Sequence, residues 1–275
     1  MTGARFSFSK FVFWLGITFL YLPMIILIIF SFNESRLVTV WGGFSGKWYV
    51  ELFQDQQIMS AVLRSLELAF YTSTAAVILG TMASVVLVRF TRFRTRTLFS
   101  GMITAPLVMP DVIIGLSMLL LFVAMSQYIG WPQTRGMMTI WIAHTTLCMA
   151  YATVVITSRL TEMDRSVEEA ALDLGASELK AFMQITLPII APAVVSAWLL
   201  SFTISLDDVV IASFVTGPGA TTLPIEVFSS VRLGVTPKIN ALATLIILTV
   251  SSVAVASWFL TRRLNTRLSL QLAQK

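Results

Sequence analysis

Two groups of residues in this chain have types and spacings that could do chemistry. The first is a set of carboxylates set in apolar sequence: Asp111, and the adjacent pair Asp207-Asp208. A charged side chain at the centre of a span costs roughly 2.5 to 3.5 kcal/mol on insertion scales, so such groups face a cavity or a partner. Fixed carboxylates there suit a cationic solute, because they replace part of the hydration of an ammonium group through charge-assisted hydrogen bonds. The second group is Glu169-Ala-Ala-Leu-Asp-Leu-Gly175, followed after nine residues by Ile185-Thr-Leu187-Pro188. Its chemistry is docking, since it is the long polar segment between apolar spans.

Each group needs an element to position it. Asp111 follows Pro106 and Pro110, so it sits at a proline-broken helix whose freed backbone groups are tolerable only inside protein or beside a water-filled path. It either caps the second half-helix or serves as a cation site, and both hold if the break lines the path. Asp207 and Asp208 lie about 100° apart on a helix and cannot point the same way. Trp198, Ser201, Ser205 and Asp208 follow one track, and Ser196, Thr203 and Asp207 an adjacent one. Alternatively, one of the pair meets a basic residue such as Arg232 or Lys238 at the external surface. Glu67, near the second span, is the other acid beside the path.

For the polar segment, Ser166 and Glu169 have capping-box spacing, Val167, Ala170, Ala171 and Leu174 form an apolar stripe, and Gly175 sits at a C-cap. Ser177 offers a second N-cap, with Glu178 in the first turn that follows. This predicts two short helices with a glycine bend, running to Leu187-Pro188, where the next span begins. A helix of about two turns is too short to stand in water, so its small Ala170/Ala171 face calls for a groove on another protein. The 158–187 segment carries three basic and six acidic residues, 3 − 6 = −3, so that partner should be positively charged.

The composition, 56% hydrophobic and 12% charged with mean hydropathy +0.84, describes a polytopic membrane protein. Apolar runs able to cross about 30 Å of hydrocarbon lie at roughly 11–32, 68–88, 98–125, 137–157, 188–206 and 239–260, six spans in all. The N-terminus, the 89–97 loop, the 158–187 loop and the C-terminus hold 2, 4, 3 and 4 lysines and arginines, 13 of the 19. By the positive-inside rule this places both termini and the Glu169 loop in the cytoplasm. The first run lacks a small-residue cleavage site and reads as a retained anchor. The expected organisation is an anchor and first external loop over 1–60, a membrane core over 61–260 and a cytoplasmic tail over 261–275.

Several chemistries are excluded. Basic residues scattered at span ends do not make a nucleic-acid surface. No GxxxxGK[ST], HExxH or GxSxG occurs, so neither a phosphate-binding loop nor these hydrolytic motifs are present and an enzyme reading has little support. One cysteine, Cys148, forbids an internal disulfide, and one histidine, His144, excludes a His-rich metal site. His144 and Cys148, four apart, could supply two metal ligands, although a packed, hydrogen-bonded histidine is the ordinary reading. In the external loop 33–60, Trp41, Trp48 and Tyr49 suit an interfacial belt, or alternatively an aromatic cage for a cation. Thr216 to Pro224 breaks the chain after the fifth span, and Ile225 to Leu233 is too short to cross.

The spacing EAA-x3-G-x9-I-x-LP is similar at every fixed position to the coupling loop of ABC importer permeases. With Tyr21-Leu-Pro-Met, Ser31-Phe-Asn33, Ala105-Pro-Leu-Val-Met-Pro-Asp111, Ser205 to Pro218 and Asn240-Ala-Leu-Ala-Thr244, nearly the whole chain resembles the inner-membrane permeases of polyamine importers, putrescine or spermidine type. The resemblance implies a binding-protein-dependent type I permease fold, all-α, with six membrane helices and N-in/C-in topology. It implies Glu169, Ala170, Ala171, Gly175, Ile185, Leu187 and Pro188 as the ATPase coupling residues, and Asp111, Asp207 and Asp208 as substrate-path residues. The partners implied are a second, homologous but non-identical permease subunit, a cytoplasmic ATPase dimer that binds ATP and magnesium, and a periplasmic polyamine-binding protein, all at a bacterial inner membrane. This chain itself would hold no cofactor or metal. The rival readings are an importer for another small solute, or a self-sufficient secondary transporter using Asp111 for ion coupling.

Overall fold

The computed structural model describes residues 3–37, 40–90, 92–234, 236–252 and 255, and these are helical with one isolated bridge, Asn33 to Phe44. In order they form α1 (Gly3–Phe30), α2 (Lys47–Gln54), α3 (Gln56–Arg89), α4 (Arg96–Val108), α5 (Asp111–Ile129), α6 (Met137–Glu162), α7 (Ser166–Asp173), α8 (Glu178–Ala181), α9 (Leu187–Asp207), α10 (Val210–Val215), α11 (Leu223–Leu233) and α12 (Pro237–Ser252). Among the described residues, five helical runs are long and apolar enough to cross a membrane: Phe8–Phe30, Gln56–Arg89, Asp111–Ile129, Met137–Glu162 and Glu178–Asp207. α12 covers the start of the span expected over 239–260. The rest of that span, apart from 255, and the tail over 261–275 lie outside the described residues.

Two span boundaries differ from the sequence expectation, and a third span is broken where the prolines place it. The second span is part of a 34-residue helix that starts at Gln56, because no glycine or proline interrupts 56–79. The third, over 98–125, is broken into two helices as the prolines lead one to expect: Met109, the residue before Pro110, is extended at ψ 140°, and Pro110 itself lies at ψ 138°. The fifth does not begin at Pro188. The helix is continuous from Glu178, and Phe182–Thr186 widens into a π-turn in which the Leu187 N–H reaches the Phe182 carbonyl. Pro188 brings no N–H and its ring crowds the carbonyl four residues back, and one loosened turn absorbs both.

The chain forms two compact units, one of Met1–Met59 with Ser229–Lys275, the other of Ser60–Phe228. The second unit is built around α6, whose Ile140, Ala143, Leu147, Ala152 and Ile156 are buried. At one end α6 packs with Ile114 and Phe122 of α5 and Ile211, Ala212 and Val215 of α10. At the other it packs with Val77 of α3 and Ile190 and Ala197 of α9. The backbones of α3 and α6 approach closely because Gly80 has no side chain: a Cβ there would lie 2.8 Å from the Ala152 Cβ. Ser84 Oγ donates across the same contact to the Thr153 carbonyl at 3.0 Å.

The first unit is organised by Asn33. Its buried amide donates to the Leu37 and Val40 carbonyls at 3.2 and 2.7 Å and accepts from the Ser35 and Gly42 N–H groups at 3.2 and 2.8 Å, while its carbonyl accepts from Trp48 Nε1 at 2.6 Å. Trp48 is therefore 3% exposed and belongs to a folded knot, where the sequence suggested a belt or a cage. At about 1 kcal/mol per net hydrogen bond, Asn33→Ala should cost roughly 2 to 4 kcal/mol. The expected result is a lower thermal unfolding midpoint for the variant in detergent, and an unchanged midpoint would refute the role. Lys238 Nζ pairs with Asp55 at 2.8 Å, and this bond holds the Asp55 carboxyl below the usual carboxylate range.

Candidate functional site

The polar loop is as short-helical as its spacing requires, but its start is capped differently. Ser166 is the first helical residue and forms no capping box with Glu169; instead Asp164 Oδ1 accepts the Ser166 N–H at 3.0 Å. The aspartate two residues upstream outcompetes the box because an Asx turn closes locally without ordering a long Glu side chain. Glu169 is thereby left exposed with no partner among the described residues. The end of α7 follows the Schellman pattern: the Ala176 N–H reaches the Ala171 carbonyl at 3.0 Å and the Gly175 N–H the Leu172 carbonyl at 2.9 Å, with Gly175 at φ +86°. Ser177 Oγ accepts from the Lys180 N–H and caps the second helix as expected.

No residue of α7 is buried. Val167, Ala170 and Leu174 are exposed, Leu174 at 89%, while Ala171 is half-buried. Ile185 and Leu187 are half-buried, Leu187 packing against the α6–α9 core and so anchoring the loop to the spans, and Pro188 is exposed. The loop is also tied to the end of α3: Glu168 pairs with Arg89, and Arg165 donates to the Val88 carbonyl at 2.5 Å. A small apolar stripe is thus presented on a braced, solvent-facing helix.

The carboxylates divide into one locked group and two open ones. Asp208 ends α9 and accepts from the Ile211 and Ala212 N–H groups at 3.3 and 2.8 Å, which caps α10. The same carboxylate meets His144 Nε2 at 3.1 Å, and His144 Nδ1 meets Ser205 Oγ at 2.9 Å. Both ring nitrogens of His144 are thereby engaged, one by the Asp208 carboxylate and the other by the Ser205 hydroxyl. Cys148 Sγ contacts the Ser201 carbonyl at 3.5 Å, so the four-residue spacing on α6 meets a four-residue spacing on α9 running the other way. His144 is the packed, bonded histidine, and among the described residues no cluster of three His, Cys, Asp or Glu could hold a metal. The partner of Asp208 is therefore His144, in place of the Arg232 or Lys238 suggested by the sequence.

Asp207 is exposed, as are Ser196 and Thr203 on its track, so the two tracks of α9 have opposite fates: one packs on α6 and the other stays open. Asp111 is also exposed. It is the first helical residue of α5, with Pro110 as N-cap and no side-chain capping bond, which removes the capping reading. Gly115, one turn on, lies against Ile211 and Phe214, so the helix that starts at Asp111 and the one that Asp208 caps pack together. Glu67, with Tyr71 and Trp141, lines a cleft of about 660 Å³ between α3 and α6.

Residues 76–270 match the model of the family described as binding-protein-dependent transport system inner membrane component. Among curated proteins, the chain is 65% identical over 249 residues to the putrescine transport system permease protein PotI of Escherichia coli, covering 90% of this chain and 89% of that one. It is 43% identical over 247 residues to the spermidine/putrescine transport system permease protein PotC of Haemophilus influenzae, covering 90% and 93%. Among solved structures, a bacterial ABC transporter involved in import of the acidic polysaccharide alginate superposes with TM-score 0.69 at 16% identity, covering 95% of this chain and 98% of that one. At that identity the likeness speaks of fold alone.

Proposed function

Since this chain belongs to the family of binding-protein-dependent transport system inner membrane components, we propose that it is the multi-pass permease subunit of an ATP-driven inner-membrane importer of polyamines, putrescine foremost. The observation that carries the substrate is the 65% identity to a putrescine permease over nine-tenths of the chain. The chain is no enzyme: hydrolysis belongs to a separate ATPase. In this reading two ATPases bind ATP and magnesium, a second, homologous permease subunit completes the path, and a periplasmic binding protein delivers the amine.

Coupling follows from the loop. The exposed stripe of Val167, Ala170 and Leu174 seats in a groove of an ATPase, Glu169 meets a basic residue there, and Gly175 sets the bend between α7 and α8. Because Arg89 and Arg165 brace α7 to the end of α3, and Leu187 roots it in the core with Ile185 two residues before, a movement of the ATPase is passed to the spans as a rigid displacement. Asp111 and Asp207, the open carboxylates at helix breaks, replace hydration lost by the two ammonium groups of a diamine. Asp208 supports them by fixing the α9–α10 break.

The test is uptake into vesicles reconstituted with the whole complex, competed by a panel of radiolabelled diamines, triamines and oxyanions. Putrescine should compete at the lowest concentration and the oxyanions should not compete. Equal competition by an oxyanion would overturn the cationic reading, and uptake without any co-purifying ATPase would favour a secondary transporter.

A further inference from the structure

Of the four arginines in the 89–96 segment, only Arg89 is used by the coupling loop. Beside it, at the ends of α3 and α6 and the start of α4, lies a cavity of about 510 Å³ whose polar lining is Arg96, Ser100, Thr157, Thr161 and Arg165. Arg96 gives one N–H to the Leu87 carbonyl at 3.3 Å and Arg165 one to the Val88 carbonyl at 2.5 Å. A guanidinium carries five donors, so each retains capacity for an anion. Thr157 Oγ1 is buried without a hydrogen-bond partner. No carboxylate lines the cavity. The acids closest in sequence are engaged elsewhere, Glu162 with Arg159, Glu168 with Arg89 and Asp164 with the Ser166 N–H. The remaining wall is apolar, from Leu87, Val88, Leu160 and Met163.

The geometry points to a binding site for the phosphodiester headgroup of an anionic phospholipid. Two guanidinium groups and the hydroxyls of Ser100 and Thr157 match the phosphate oxygens, Thr161 giving its own hydrogen to the Thr157 carbonyl at 2.8 Å, and two cations with no carboxylate in the lining favour a net negative headgroup over a zwitterion. The apolar wall at the end of the spans fits the glycerol and first methylenes of a lipid, a surface that free phosphate would leave dry and unused. Arg165 immediately precedes α7, so the same headgroup steadies the segment that meets the ATPase. This does not depend on which solute is carried.

The experiment is native mass spectrometry of the assembled complex, released from nanodiscs holding equal phosphatidylglycerol and phosphatidylcholine. The wild-type complex should retain phosphatidylglycerol selectively. Arg96→Gln should lower retention by at least about tenfold, the loss expected for one charge-assisted contact. Arg94→Gln, outside the cavity lining, should not change it. Thr157→Val provides a second, milder variant read in the same way should Arg96→Gln fail to assemble. Equal retention of the two lipids by the wild type, or undiminished retention in both cavity variants, would overturn the site. Displacement of the lipid by excess inorganic phosphate would overturn it in favour of a free-anion site, and exclusion of lipid whenever the ATPases are bound would assign the cavity to an acidic group of that partner.

Discussion

Ala170→Trp is expected to leave the chain folded and inserted while detaching its ATPase, with amine uptake falling by at least about a hundredfold. Ala170 is exposed and α7 buries nothing of its own, so a large side chain there meets no atom of this protein. The clash is with whatever the stripe docks into, and overfilling a close-packed contact costs typically 1 to 3 kcal/mol, to which the displaced neighbouring contacts add. Gly175→Ala tests the bend instead. A Cβ at Gly175 has no heavy atom within 4 Å, so its cost is conformational: φ +86° is left-handed, and a side chain there costs about 1 to 2 kcal/mol. That variant should weaken association less than Ala170→Trp does. Co-purification of the ATPase and uptake are both measured. Stoichiometric ATPase and normal uptake in Ala170→Trp would show that α7 is not the docking helix. Glu169→Gln, with no intramolecular cap to lose, reports directly on an ion pair with the partner.

Asp207→Asn and Asp208→Ala should fail in different ways although the residues are adjacent. Asp208 is a nearly buried carboxylate bonded to His144 and to two N–H groups of α10. Removing it leaves the His144 Nε2 and two amides unpaired, at a cost on the order of 3 kcal/mol, so the expected result is less assembled complex and a lower unfolding midpoint. Asp207 is exposed and unused by the fold, so Asp207→Asn should assemble and retain basal ATPase activity while amine uptake falls by about tenfold or more. Asp111→Asn, likewise exposed, should follow Asp207→Asn. Full uptake in both asparagine variants would sink the cationic path, and loss of assembly in both would make those acids structural. If Asp208→Ala assembled and melted like the wild type, the His144 pair would not be the lock described.

What could be read without coordinates was whatever local sequence dictates. Long uncharged runs force helices, because backbone groups in hydrocarbon must bond within their own segment, and so the runs at 11–32 and 137–157 were found to within a turn or two, while α3 runs on to Gln56 and the fifth run is continuous from Glu178. Proline and glycine fixed the break before Asp111 and the bend at Gly175, since both act through φ and the missing N–H or Cβ at one residue. The spacing of Ala170, Gly175 and Leu187 was legible for the same reason. Tertiary structure alone decided the rest. Whether Ser166 or Asp164 caps α7 is a competition between two nearly equal local acceptors, and spacing favoured the one that lost. Asp207 and Asp208 are chemically identical and one step apart, and only the packing of α6 on α9 selects the Asp208 face, because that is where His144 and Ser205 meet. The pairing of residues 61 and 64 positions apart in sequence leaves no periodic mark in either helix, so the histidine that turns one carboxylate into scaffold and leaves its neighbour open could be assigned only once the helices were side by side.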